Sequence, residues 1–128
     1  FYGAPVALEN HEYHACMTAL EMDRKLNELR VKWKSEGGWP KLVHNVRHRV
    51  GLNSGEMVTG NMGSSMRMNY TMMGDTVNLA ARLEPAAKQY GVYTFVAENT
   101  YKVVKDQFEW RLLDFIRVKG KNKPLKVY

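Results

Sequence analysis

Ala15, Ala19, Met22, Leu26, Leu29 and Trp33 follow one another at steps of four and three. That rhythm lays an apolar stripe along one side of a helix, expected here from about Asn10 to Glu36 and wide enough to cover a sheet. Asn10 stands where an N-cap belongs, and "EGGWP" stops the helix with glycine and proline. The period then changes from helical to alternating. In "HNVRHRVGLNSG", Val46, His48, Val50 and Leu52 share one side and Arg47, Arg49 and Asn53 the other, the pattern of a strand with one buried face. Asn53, Ser54 and Gly55 supply a tight turn. "EMVTGNMG" reads as the antiparallel partner of that strand, and "RMNYTMM" as a third strand.

A second helical pattern starts at "GDTVNLAARLEP". The Asp75 carboxylate is expected to cap it, and Pro85 to kink or interrupt it. "YTFVAE", a short helix near Asn99 to Val104, the strand "FEWRLLDFIRV" and an edge strand "PLKVY" complete the order. The predicted class is α+β: a mostly antiparallel sheet with helices on one face. A chain of 128 residues is one domain by length, with 45% hydrophobic residues for a core.

Composition narrows the chemistry. Cys16 is the only cysteine, so neither a disulfide framework nor a cysteine-built zinc site is available within one chain, and a reducing, cytoplasmic setting is expected. No apolar run approaches a membrane span, so no membrane contact is expected of this segment. The net charge of +6 favours an anionic partner. The chain opens "FYGAP" without an initiator methionine, which is read as a piece of a longer protein.

Three candidate motifs fall away. Gly55 and Gly60 have phosphate-loop spacing, but Asn61 and Met62 stand where lysine and a hydroxyl residue are needed. "HEYH", from His11 to His14, lacks the spacing that puts two zinc ligands on one helix face, and reads as solvated helix surface. Trp33, Trp39 and Trp110 are too scattered for a base-stacking platform.

Asn78 and Arg82 are harder to dismiss. They are four residues apart in a helix that otherwise reads Val, Leu, Ala, Ala, Leu, so the amide and the guanidinium lie only about 40° apart around the axis. Each alone passes for an ordinary polar surface residue. The surrounding pattern says otherwise. "GDTVNLAAR" fits G-[DN]-x-V-N-x-A-x-R, and "RVGLNSGEMVTG" fits R-[VI]-G-[LI]-x-[ST]-G-x-x-x-x-G. The two motifs, in this order and separated by a short strand, resemble those of the class III nucleotidyl cyclases, the adenylyl and guanylyl cyclases. With "FYGAP", the long helix and the late "VKGK", the resemblance covers essentially the whole chain.

The resemblance implies the ferredoxin-like catalytic domain of that family and its reaction: ATP to 3′,5′-cyclic AMP and pyrophosphate. It implies that Arg82 stabilises charge on the α-phosphate and Asn78 orients the ribose. Arg49 would approach the polyphosphate. Lys119, and more weakly Lys121, would pair with the β- and γ-phosphates. Thr71, three residues before Gly74, matches the base-reading position, where threonine suits adenine and so favours ATP over GTP. Two Mg2+ or Mn2+ ions and a homodimer with sites shared across its interface complete the family pattern.

The departure from that pattern is also specific. Asp23, Asp75, Asp106 and Asp114 match neither of the family's two metal-binding aspartates, and the base-reading lysine has no counterpart. The family's first strand and metal-binding hairpin are therefore expected upstream of Phe1, making residues 1–128 the C-terminal portion of one catalytic domain, inactive alone. The alternative is a non-catalytic basic module for nucleotide or nucleic acid; charge alone favours it, whereas the motif pair favours the cyclase, with no specific nucleic-acid partner.

Overall fold

The computed structural model describes residues 1–117 and 123–128. Helix α1 spans His11–Glu36, close to its expected limits. Its start differs in mechanism: Asn10 takes a left-handed backbone (φ 54°, ψ 35°) and its side chain makes no capping bond. The stripe is also narrower than the sequence pattern implies. Cys16 and Ala19 are buried, Ala15, Leu26, Leu29 and Trp33 are half-buried, and Met22 is exposed.

Residues Lys41–Asn45 form a 3-10 turn rather than the beginning of a strand. It opens directly after Pro40, whose carbonyl accepts from Val43 N–H at 2.9 Å. Only Val50–Leu52 becomes strand β1. Its partner is not the segment that follows it. Strands β2 (Val58–Ser64) and β3 (Arg67–Met73) pair with each other antiparallel, Val58 opposite Met73 and Ser64 opposite Arg67. Local closure wins because Ser65 and Met66 alone join the two strands, and a short loop costs little chain entropy. Gly63 makes this possible: at φ 144° a Cβ would sit 2.1 Å from the Arg67 carbonyl oxygen.

β1 instead runs parallel to β4 (Thr94–Val96), with Gly51 opposite Phe95. Between them helix α2, Asp75–Ala87, crosses over, as a parallel connection requires. The expected cap of α2 is corrected. The N-cap position belongs to Gly74, without a side-chain cap, and Asp75 is the first helical residue; its charge still faces the positive helix end. The helix also continues through Pro85 to Ala87 before tightening into a 3-10 turn at Lys88–Tyr90.

Helix α3 spans Glu98–Val104, and β5 shrinks to Asp114–Ile116. β6, Leu125–Val127, pairs antiparallel with β5. It is not an edge strand. On its other side Val96 and Tyr128 exchange backbone hydrogen bonds of 2.9 Å, and Ala97 bridges Val127. Backbone pairing therefore runs β1–β4–β6–β5, with β2–β3 a separate ladder. The fold is α+β, as the pattern of elements indicated.

The core gathers where α2 lies on this row. Leu83, Ala87, Phe95, Ala97 and Val127 are fully buried, flanked by Tyr90, Val92, Leu113 and Ile116. A second group is aromatic: Tyr13 stacks on Phe108, Phe108 meets Trp110 edge-on, and Tyr101 stacks on Tyr128 at 3.7 Å. Trp33 packs against Trp39 at the end of α1, so both behave as packing residues. No helix among the described residues is long and apolar enough to cross a membrane.

Burial has a titratable consequence at Cys16. The Cys16 thiol is pushed up from 9.0 to about 11 by desolvation, with Glu12 adding to the effect. In the unfolded chain it ionises first, so between about pH 9 and 11 the unfolded state binds fewer protons than the folded one, and stability falls as pH rises. Urea melts should show a loss of about 2 kcal/mol by pH 11 that Cys16→Ala lacks. Equal alkaline losses in both proteins would place the titration elsewhere.

Candidate active site

Met73 ends β3, Gly74 turns the chain at φ 142°, and α2 begins at once. Glycine is needed at this conformation, which L side chains rarely adopt. The Gly74 carbonyl accepts from Asn78 N–H at 3.0 Å, so Asn78 closes the first helical turn. Leu79, Leu83 and Ala87 bury one side of α2. That burial sets the helix's rotation and leaves Asn78 and Arg82 exposed together on another side, one turn apart.

The remaining residues singled out by sequence divide. Thr71 lies on β3, half-buried and paired with Gly60, in the strand that leads into α2. Arg49 does not join the Asn78/Arg82 face. Its Nε donates to Glu84 Oε1 at 2.9 Å, and Glu84 projects about 160° around the helix from Arg82. Lys119 and Lys121 lie outside the described residues. The structure thus brings Asn78 and Arg82 together, sets Thr71 on the adjoining strand, and holds Arg49 at the opposite flank of the same helix.

Sequence reasoning missed Glu84. Arg49 and Glu84 are 35 residues apart, and nothing local marks them as partners. It also missed two bonds that brace the turn after β1. Asn53 Nδ2 donates to the Thr76 carbonyl at 3.1 Å, and the hydroxyls of Ser54 and Thr100 lie 2.8 Å apart. The first ties the arginine motif to the start of α2; the second ties it to α3.

A cavity of about 410 Å3 opens between the chain start, β1 and α2, lined among others by Phe1, Glu12, Leu52, Asn53, Val77 and Glu84. Neither Asn78 nor Arg82 lines it. Two polar residues on an exposed helix face, away from this cavity, can grip only part of a ligand. Among the described residues no three His, Cys, Asp or Glu side chains converge to hold a metal ion.

An α+β domain that carries both motifs and sets their Asn and Arg on one helix face is of the nucleotidyl cyclase kind. The chain belongs to the adenylate and guanylate cyclase catalytic domain family, matched over residues 2–128. Adenylate cyclase 1 of Rhizobium meliloti (strain 1021) is 34% identical over 127 residues, covering 99% of this chain and 18% of that protein. The adenylate cyclase of Anabaena cylindrica is 30% identical over 118 residues, covering 90% and 23%. Among solved structures, the adenylyl cyclase CyaB from P. aeruginosa superposes with a TM-score of 0.83 at 29% identity, covering 97% of this chain and 62% of that one. The catalytic core of a rhodopsin-guanylyl cyclase with converted specificity, solved with ATPalphaS, gives 0.70 at 25% identity, with coverage of 98% and 61%. The chain thus spans under a quarter of the length of these two curated relatives and under two thirds of these two solved chains.

Proposed function

We propose that this chain carries the ribose and α-phosphate side of an adenylyl cyclase active site, and that the complete, dimeric protein converts ATP to 3′,5′-cyclic AMP and pyrophosphate. The observation that carries the reading is the exposed Asn78/Arg82 pair, one turn apart on α2. The ribose 3′-hydroxyl gives up its proton to solvent as its oxygen attacks, the 3′-O–P bond to the α-phosphorus forms, and the bond from that phosphorus to the oxygen bridging to the β-phosphorus breaks, releasing pyrophosphate. Negative charge grows on the α-phosphate oxygens as this happens. Arg82 meets that charge with a fixed cation, which lowers the barrier more than it tightens substrate binding. Asn78 hydrogen-bonds the ribose and aims the attacking hydroxyl. Lys119 and Lys121 receive the polyphosphate at this face, Arg49, on the opposite flank of α2, receives the polyphosphate at the other of the two shared sites, and a second copy completes each site. By itself the chain is read as inactive, since none of Asp23, Asp75, Asp106 and Asp114 matches the family's two metal-binding aspartates.

Thr71 is the base-reading residue in this proposal. Its hydroxyl can accept from adenine N6–H and donate to N1, and it can turn to serve guanine less well. The complete protein should form cyclic AMP from MgATP and favour ATP over MgGTP. Thr71→Val keeps the volume and removes the hydroxyl, and should shrink the kcat/KM ratio between the nucleotides by about 2- to 10-fold, one hydrogen bond's net worth. Absence of cyclic AMP would refute the proposal, and an unchanged ratio would remove Thr71 from base recognition.

A further inference from the structure

Arg49 has five N–H donors in a rigid fork. The structure commits one of them: Nε donates to Glu84 at 2.9 Å, and no other hydrogen bond or ion pair ties Arg49 to the described residues. The outer edge of the guanidinium, with its two terminal nitrogens, points away from that bond by the planarity of the group. That edge is the one that grips a phosphate by two parallel hydrogen bonds.

The backbones that carry the pair are held close together. Glu84 is held by its backbone. A Cβ on Gly51 would lie 2.8 Å from Glu84 N, 2.5 Å from the Ala80 carbonyl oxygen and 2.9 Å from Leu83 Cβ, so α2 presses onto β1 at closer range than any other residue permits. Leu83, next to Glu84, is fully buried. Gly51 is two residues from Arg49. The close crossing of β1 and α2 therefore places the carboxylate beside the arginine before any ligand arrives. The ion pair is partly exposed, 35% and 41% for the two side chains, so its worth to stability is small. Its consequence is orientation: an arginine side chain loses much rotamer freedom when it is fixed, and here that loss precedes binding.

We propose that Glu84 is a positioning residue for the reaction, holding Arg49 by Nε so that its outer edge is presented to the triphosphate and to the departing pyrophosphate. This rests on the cyclase reading above, and specifically on Arg49 as a polyphosphate contact. Glu84 touches no substrate atom; it acts through Arg49.

The test uses the complete protein, with inorganic pyrophosphate and adenosine as separate inhibitory probes. Glu84→Gln keeps size and shape and removes the charge; Glu84→Ala removes the partner. Expected for Glu84→Ala is a rise of about tenfold in KM for ATP and in Ki for pyrophosphate, with Ki for adenosine unchanged and kcat altered by less. Glu84→Gln, which still accepts a weaker hydrogen bond, should fall between Ala and wild type. In an Arg49→Ala background either substitution should add nothing, because the group being positioned is gone. Thermal melts should match wild type, and Glu84→Gln serves where Glu84→Ala is poorly folded. Additive effects with Arg49→Ala, or an equal weakening of adenosine, would overturn the proposal in favour of a general structural role. If Arg49→Ala itself weakens pyrophosphate and Glu84→Gln and Glu84→Ala do not, Glu84 is excluded while the cyclase reading stands. If Arg49→Ala leaves pyrophosphate binding untouched, Arg49 is no polyphosphate contact and this proposal falls with that assignment, whereas cyclic AMP formation separately decides the cyclase reading.

Discussion

Replacing Arg82 by alanine in the complete protein should lower kcat by about 10²–10³ while changing KM for ATP far less, the usual loss for one fixed transition-state contact. The asymmetry follows from when the charge appears. In the ground state the α-phosphate shares its charge with a long, solvated polyphosphate that several other cations can serve. In the transition state extra charge concentrates on the oxygens of the phosphorus under attack. A guanidinium already in place there needs no reorganisation. The fold supplies the fixing: Leu83 adjoins Arg82 and is fully buried, and Leu79, one turn earlier, is 6% exposed. Their burial anchors α2 against rotation. Arg82→Lys should recover part of the loss, since it restores charge without the planar fork. Arg82 is exposed, so both variants should melt within a few degrees of wild type. A rise in KM with kcat unchanged would make Arg82 a ground-state anchor and move the transition-state role elsewhere.

Phe95→Ala should produce the largest stability loss of any single truncation in the main core, about 3–5 kcal/mol. Phe95 is the largest fully buried side chain in the structure. It stands opposite Gly51 in the β1–β4 pairing, its ring lies 5.5 Å from that of Tyr90, and it shares the cluster with Leu83, Ala87 and Val127. Removing it opens a void beneath α2 that none of these neighbours can fill without moving the backbone. Against a typical domain stability of about 5–15 kcal/mol, a loss of this size is severe. For a chain of this length it corresponds to a fall in Tm of roughly 10–20 °C. Phe95→Leu, which retains most of the volume, should cost far less. Calorimetry on the three proteins decides the matter; equal melts for wild type and alanine would mean that the cluster does not carry the fold. The same substitution loosens the floor under Asn78 and Arg82, so any activity remaining below the new Tm should be reduced.

Periodicity served best where an element is long and its contacts are local. The 26-residue helix α1 lies close to the limits its stripe suggested, and the start of α2 was legible from Gly74 and the apolar spacing after it. Periodicity failed where pairing is a choice among partners. The alternation from Val46 to Leu52 is a fair strand pattern, yet only Val50–Leu52 finds a partner, and that partner is β4, about 44 residues on. The segment expected to pair with β1 has a cheaper partner across a two-residue loop. The C-terminal strand is expected at an edge. It is interior because Val96, Ala97 and Tyr128 meet across it.

What the sequence by itself determined is the family, the α+β class and the Asn78/Arg82 pair. These rest on local spacing, and helix geometry converts a spacing of four into a shared face without reference to the rest of the chain. Only the tertiary structure decided which way that face looks, through the burial of Leu79, Leu83 and Ala87 beneath it. It alone placed Arg49 against Glu84, because the approach of α2 to β1 over Gly51 joins residues whose separation along the chain carries no signal. A side chain's neighbours across 35 residues are set by packing, and packing is a property of the whole core rather than of any window of sequence.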